Sequence, residues 1–210
     1  VQTGKFVALS SVFGTYADKR EAQAIAATEP FHDHSTAHDS WIDYVSDVGD
    51  GFNATYSIAY LLAQPKLDVT SEDGEESVPT TRGSVLVMGG DEVYPSASAR
   101  AYEERTKGPY NAAMPHADDP PALFAVPGNH DWYDGLTAFL RVFARREGTN
   151  IGGWRTGQAR SYFALKLPQR WWLFAIDAQE GAYLDDPQLE YFREIAQQVE
   201  PGDRVIVCTP

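Results

Sequence analysis

The chain has 210 residues, of which 43% are hydrophobic, and this length and composition suit one α/β domain over residues 1–210 better than two small domains. Its formal net charge is −13, from 30 acidic residues against 17 lysines and arginines. This balance argues against a nucleic-acid partner, because nucleic-acid binding relies on Lys and Arg side chains that neutralise phosphates.

Cysteine content and hydropathy limit the cellular compartments in which we expect this protein. The single cysteine, Cys208, excludes a disulfide framework and suits a reducing, cytoplasmic compartment. The sequence contains no run of roughly 18 to 20 apolar residues, so we expect no membrane span in this segment. A domain of a longer, membrane-attached chain is the alternative.

The first predicted strand spans Lys5–Phe13. Three histidines follow, His32, His34 and His38, in a segment that we interpret as an exposed loop. Metal binding by this tract is the alternative, since His-rich tracts bind metals. The apolar run Trp41–Ser46 is then predicted as a strand.

That strand leads into Asp47-Val48-Gly49-Asp50-Gly51. The apolar spacing over Phe52–Gln64 predicts a helix that packs on a sheet. The acidic, turn-rich stretch Lys66–Arg82 is predicted to be a solvated loop. A further strand is predicted over Gly83–Met88, and it leads into Gly89-Gly90-Asp91.

The second half of the chain repeats this alternation. A helix is predicted over Ser96–Arg105, a Pro-rich connection over Lys107–Pro121 and a strand over Pro121–Pro127. The last strand leads into Gly128-Asn129-His130-Asp131. Further elements are predicted in chain order: a helix over Trp132–Glu147, a hairpin loop over Gly148–Gly157, two hairpin strands over Ser161–Lys166 and Trp171–Asp177, and a helix over Pro187–Val199.

Polar residues therefore follow three predicted strands. Alternating strands and helices favour a largely parallel sheet, and the carboxyl ends of neighbouring parallel strands form the crevice where ligands bind. We expect Asp47, Asp91 and Asn129 to lie close together at that edge. Carboxylate and amide oxygens beside a histidine, His130, supply parts of a metal-assisted hydrolytic site. For each of these residues the alternative is an ordinary turn or strand-end role.

Gly90-Asp91 followed by Gly128-Asn129-His130-Asp131, with Asp47 upstream, resembles the ordered signature of the calcineurin-like metallophosphoesterases over roughly residues 41 to 210. The resemblance implies an α/β fold, an α-β-β-α sandwich with mixed sheets, here C-terminally incomplete. It also implies two divalent metal ions (Mn, Fe or Zn, with Mg possible) that activate a water to hydrolyse a small phosphorylated substrate. It implies no particular oligomeric state.

The resemblance also implies roles for individual residues. Asp47 would hold the first metal, Asp91 would bridge the pair and Asn129 would hold the second. His130 would protonate the leaving alkoxide or stabilise the phosphoryl charge, and Asp131 would fix the tautomer of His130.

The sequence departs from the family pattern at two places, and these departures leave alternative functions open. Gly49 stands where the family has its first histidine, and Asp50 is a candidate substitute ligand. The predicted strand Asp203–Val207 ends in Cys208-Thr209-Pro210, without the expected histidine, and no Gly-His-x-His follows. A fragment of a longer chain, which would bind metal weakly or at one site only, is the simplest interpretation. A non-catalytic binding or scaffolding domain with a degenerate site is the alternative, and a nuclease of the same superfamily is disfavoured by the acidic balance.

Overall fold

The computed structural model describes residues 30–145, 147–178 and 184–210, and the predicted strand Lys5–Phe13 lies outside them. The described chain has a mixed α/β fold with parallel and antiparallel strand pairs. In these ranges no helix has the length and apolar character needed to cross a membrane.

The helices and strands are short. The strands are β1 (His32–Asp33), β2 (Ile42–Val45), β3 (Lys66–Thr70), β4 (Ser77–Thr81), β5 (Val85–Met88), β6 (Ala122–Ala125), β7 (Asn150–Ile151), β8 (Trp154–Thr156), β9 (Phe163–Leu167), β10 (Trp171–Ala175) and β11 (Arg204–Cys208). The helices are α1 (Phe52–Ala63), α2 (Ala99–Tyr102), a π-helical turn (Glu103–Lys107), α3 (Gly108–Ala113), a 3-10 turn (Asp131–Asp134), α4 (Thr137–Phe143), a second 3-10 turn (Pro168–Arg170) and α5 (Asp186–Ala196).

The first sheet has the order β2-β5-β6-β8-β7, and its first three strands are parallel. In the register of the sheet Val45 lies beside Met88, and Met88 lies beside Ala125. The three strands therefore end level with one another. Every residue of β5 is buried, as expected for a central parallel strand that is covered on both faces. The segments after β2, β5 and β6 consequently begin at one edge.

Alternate residues of β5 face two different apolar clusters. Leu86 and Met88 pack with residues of the helices, whereas Val85 and Val87 pack against the second sheet. The second sheet has the order β1-β9-β10-β11. Its other face is covered by α5, through contacts of Tyr191 with the residues around Trp172. The three clusters hold the elements in a fixed order: helices, first sheet, second sheet, α5.

Two predicted connections contain regular structure instead. The loop prediction for Lys66–Arg82 was wrong, because β3 and β4 pair across it as an antiparallel hairpin in which Val69 lies beside Val78. Both valines are 55% exposed, and the rest of the hairpin is largely exposed too. Burial therefore imposes no strong pattern of apolar and polar residues on this stretch. The connection predicted over Lys107–Pro121 was also wrong over its first part, where the helix continues through α3. Pro109, which has no N–H to donate within the helical run, directly follows the π-helical turn and its Gly108.

Other predicted elements needed smaller corrections. The helix predicted over Trp132–Glu147 is divided, because Gly135 and Leu136 both have positive φ, at 67° and 62°. The predicted histidine loop contains β1, whose His32 ring packs 4.8 Å from the Phe124 ring. The strand pair β9–β10, the β7–β8 hairpin and helix α5 confirm their predictions.

Candidate functional site

A cavity of about 340 Å3 opens at the common edge of β2, β5 and β6. The structure brings three of the predicted ligands, Asp47, Asp91 and Asn129, to this cavity, as their positions after parallel strands predicted. Among the residues that the structure describes, the cavity is lined by Asp47, Gly89, Gly90, Asp91, Gly128, Asn129, Ala178 and Pro210.

Asp47 and Asp91 share an unusual backbone conformation. Their φ angles are 58° and 56°, in the left-handed region that most residues with side chains avoid and that Asp tolerates better than most. The Asp47 N–H donates to the Gly90 carbonyl at 2.9 Å, which joins the two loops directly. Residues held in such conformations cluster at ligand-binding and catalytic sites, because the surrounding structure must hold them there.

The hydroxyl of Tyr94 lies between these two carboxylates. It is 2.9 Å from Asp47 Oδ1 and 2.7 Å from Asp91 Oδ2, so it can donate its hydrogen to either. Burial, together with both hydrogen bonds and both negative charges, raises the pKa of Tyr94 well above its ordinary value. In the metal-free protein the phenol therefore stays protonated and offsets repulsion between the carboxylates.

Gly49 packs directly on the backbone that leads to Tyr94. A Cβ at position 49 would lie 2.3 Å from the Val93 Cα, and the Tyr94 N–H donates to the Gly49 carbonyl at 3.0 Å. A histidine therefore has no room at position 49 in this arrangement. The glycine that departs from the family pattern allows this close approach, which positions Tyr94 beside Asp47.

Asn129 reaches the cavity from the loop after β6. Its Nδ2 donates to the Tyr133 hydroxyl at 3.0 Å, an arrangement that makes Oδ1 the atom available as a ligand. Gly128, just before it, is again required for a close approach, since a Cβ there would lie 2.1 Å from Asp91 Oδ1.

His130 is oriented by main-chain and aromatic contacts. Its Nδ1 lies 2.8 Å from the Pro95 carbonyl oxygen, which can only accept, so Nδ1 carries the hydrogen. The ring lies between those of Tyr94 and Tyr133, at centroid distances of 4.3 Å and 4.9 Å. The main-chain N–H of His130 donates to Asp91 Oδ1 at 3.0 Å. These contacts leave Nε2 as the ring atom that can exchange a proton.

The expectation that Asp131 fixes the tautomer of His130 is wrong. Asp131 is fully buried, and its carboxylate accepts hydrogen bonds from the Gly128 N–H, the Glu92 N–H and the Tyr102 hydroxyl. The Pro95 carbonyl, and not Asp131, fixes the tautomer of His130. Three donors around a buried carboxylate satisfy it without any contribution from the histidine.

Glu92 lies beside Asp131 and is also buried. Its Oε1 accepts from the Gly90 N–H at 3.0 Å. Burial raises the pKa of Glu92 well above its ordinary value, and the Asp131 carboxylate raises it further. Burial also raises the pKa of Asp131, to about 6. Burial therefore favours the protonated form of both carboxyl groups over the ionised form.

Asp50 lies outside the cavity lining. Its side chain is exposed, while its main-chain carbonyl accepts a hydrogen bond of 2.8 Å from Arg105 Nη1. The same nitrogen donates to the Tyr94 carbonyl at 2.7 Å, so Arg105 joins the loops after β2 and β5. The end of β11 also borders the cavity, through Pro210.

From the sequence, Tyr94 is a candidate for the mouth of the site or equally for packing, and Arg105 and Tyr133 are not candidates. The available signal for Tyr94 was its position three residues after Asp91, in a loop that begins at the same strand end. Because β2 and β5 end level with one another, the loop after β5 lies against Gly49. No local pattern in the sequence marks this contact.

Across the ranges that the structure describes, no group of three or more His, Cys, Asp or Glu side chains is arranged to hold a metal ion. The cavity instead combines two carboxylates, from Asp47 and Asp91, with the amide of Asn129, while the Tyr94 hydroxyl bonds to both carboxylates from outside the lining. The two carboxylates and the amide can present oxygen, the donor that hard divalent cations prefer. Comparisons with protein-family profiles, curated proteins and solved structures found no match to this chain.

Proposed function

We propose that this protein is a metal-dependent phosphoesterase of the calcineurin-like type, which hydrolyses a small phosphorylated substrate with water. The observation that carries the proposal is the meeting of Asp47, Asp91 and Asn129 in one cavity, each delivered by a different parallel strand. The order of packed layers agrees with the α-β-β-α sandwich that the motifs imply.

The donor set fits two divalent cations. Asp47 would hold the first, Asn129 the second, and Asp91 would lie between them. When bound, such metal ions supply an activated water and stabilise the charge of the transferred phosphoryl group. An all-oxygen set favours Mn or Mg over Zn, which more often takes nitrogen and sulfur ligands.

His130 would act on the leaving group. The Pro95 carbonyl holds the Nδ1 hydrogen, so the doubly protonated ring would pass its Nε2 proton to the departing alkoxide and return to the neutral form. The contacts with Tyr94 and Tyr133 hold the ring still, which keeps that nitrogen in one place during the reaction.

A non-catalytic binding domain is the second candidate. It is favoured by the finding that the described residues contain no group of three or more His, Cys, Asp or Glu placed for a metal ion. The absence of a histidine at Gly49, which also favoured it, has a steric explanation in the contact with Val93.

The test is hydrolysis of p-nitrophenyl phosphate and bis(p-nitrophenyl) phosphate by the purified protein, with bound metal measured in parallel. We expect turnover of at least one substrate with Mn2+ or Mg2+, its loss after chelation and its return when the metal is restored. Metal binding without turnover of either ester would support the binding domain. No binding of either metal would overturn the phosphoesterase and favour the binding domain.

A further inference from the structure

We propose that Asp131 is a positioning residue that joins the two loops carrying Asp91 and Asn129, and thereby sets the spacing of these two ligands. This inference rests on the proposed metal site. It assigns to Asp131 a role different from the orientation of His130 that the sequence predicted.

The contacts of a single carboxylate oxygen carry the argument. Asp131 Oδ2 accepts from the Gly128 N–H at 2.9 Å and from the Glu92 N–H at 3.3 Å. Gly128 directly precedes Asn129, and Glu92 directly follows Asp91. One oxygen atom thus bonds to the immediate neighbour of a ligand on each side of the cavity.

The other oxygen anchors this bridge to the helical layer. Asp131 Oδ1 accepts from the hydroxyl of Tyr102, which is fully buried in α2. The loop after β5 has a second attachment to the same layer, because the Thr106 hydroxyl donates to the Glu92 carbonyl. The helical layer is therefore attached at two points, so loss of the Tyr102 bond alone leaves the Thr106 bond and both loop bonds of Asp131 in place.

Burial separates this role from a catalytic one. Asp131 is 0% exposed, and its carboxylate is occupied by donors from the protein itself. It therefore acts on the site through the backbone of the two loops. Outer-shell partners of this kind typically change metal affinity or activity by about 10- to 100-fold when removed.

Two substitutions separate the bridge from general stability. Asp131→Ala removes acceptors for both loop N–H groups, whereas Asp131→Asn keeps an oxygen that can accept from both. Tyr102→Phe is the matched control, because it removes only the anchoring hydrogen bond from an equally buried position. All three variants are expected to melt below the wild type, since each changes a buried hydrogen-bonded group.

The first readout is Mn2+ affinity, measured by isothermal titration calorimetry at a temperature where every variant is folded. Asp131→Ala should bind Mn2+ about 10- to 100-fold more weakly, while Asp131→Asn and Tyr102→Phe stay near the wild-type value. The second readout is amide hydrogen exchange in the metal-free proteins. The Gly128 and Glu92 amides should exchange faster in Asp131→Ala but not in Tyr102→Phe.

The outcomes discriminate between the two proposals. Wild-type protein that binds no Mn2+ or Mg2+ would overturn the metal site, and this inference with it. Wild-type binding with unchanged affinity in Asp131→Ala would overturn the positioning role alone. An equal loss of affinity in Tyr102→Phe would also overturn it, because the effect would then follow general loosening of the fold.

Discussion

Two acidic regions of this molecule differ in what their carboxylates do. The β3–β4 hairpin carries four acidic residues in and after its turn, all of them exposed: Glu72, Asp73, Glu75 and Glu76. Among the residues that the structure describes, the edge of the first sheet brings two carboxylates, Asp47 and Asp91, to its cavity, and these two share the hydroxyl of Tyr94.

The carboxylate of Asp73 shows the difference. It accepts hydrogen bonds from the Ser71 hydroxyl and the Glu75 N–H, which lower the pKa of Asp73 and complete the turn. Asp47 and Asp91 instead hold left-handed backbone angles that bring them to one cavity. The comparison teaches that convergence from separate strands, and not the density of charge, makes a candidate metal site.

The largest effect is expected from Asp91→Ala. Loss of the carboxylate that would lie between the two metal ions should remove bound metal and hydrolytic activity together, because each ion would lose a ligand. The measurement is metal content beside turnover of an aryl phosphate. Asp73→Ala is the matched control in the hairpin and should retain both. Equal losses in the two variants would contradict the distinction between the regions.

A large but selective effect is expected from His130→Ala. Its kcat should fall by about 10²- to 10⁴-fold, the usual contribution of a general acid. Bound metal and melting temperature should change little, since the ring is only half-buried and its Nδ1 partner is a main-chain carbonyl. Steady-state kinetics with thermal melting checks both parts. Full activity in this variant would end the assignment of His130.

Gly49→Ala tests the contact between the loops after β2 and β5. The added Cβ would meet the Val93 backbone, so we expect a loss of about 1 to 3 kcal/mol in the free energy of unfolding. Weaker Mn2+ binding should accompany it, as Tyr94 moves away from Asp47. Gly51→Ala is the control, because a Cβ there meets nothing within 4 Å. Chemical denaturation should show at most a small loss in the control, and equal losses would refute the steric explanation.

The smallest effect concerns the pH dependence of stability in the metal-free protein. The pKa of Glu92 is raised from 4.5, and that of Asp131 from 3.8 to about 6. Because the pKa values of Glu92 and Asp131 are higher in the folded protein than in the unfolded chain, the folded protein binds protons that the unfolded chain releases. This contribution to stability is therefore complete below about pH 4 and is lost as the pH rises through the folded-state values.

Glu92→Gln should flatten this dependence, because glutamine keeps an acceptor for the Gly90 N–H and does not ionise. The variant should melt above the wild type at pH 8 and close to it at pH 4. Melting temperatures across this range provide the measurement. An identical pH dependence of melting in the wild type and in Glu92→Gln would contradict the raised pKa of Glu92.

The parts of this site that local pattern determines were predictable from the sequence. The strands β2, β5 and β6 are apolar runs followed closely by glycine and polar residues, and this pattern located Asp47, Asp91 and Asn129 at one edge. The place of Tyr94 was not predictable, because it depends on how closely the Gly49 backbone approaches Val93. The bonds of Asp131 depend on Tyr102, which lies 29 positions away along the chain.

The helix α1 shows a similar limit. Its apolar spacing predicted a face packed on the sheet, and Ala59 and Ala63 are buried as expected. Phe52 and Tyr60 belong to the same apolar spacing, yet they are 47% and 49% exposed. Small residues make the closest contact with the sheet here, and the larger rings stack along the outside of the helix, with Phe52 and Tyr56 at 6.2 Å.

The most direct test of the central claim is a crystal structure of the protein soaked in Mn2+, with data collected at the manganese absorption edge. The account predicts anomalous density in the cavity, about 2 Å from oxygen atoms of Asp47, Asp91 or Asn129, the distance of a direct ligand. Ordered cavity side chains without any such peak, or manganese bound only at the acidic hairpin, would contradict it.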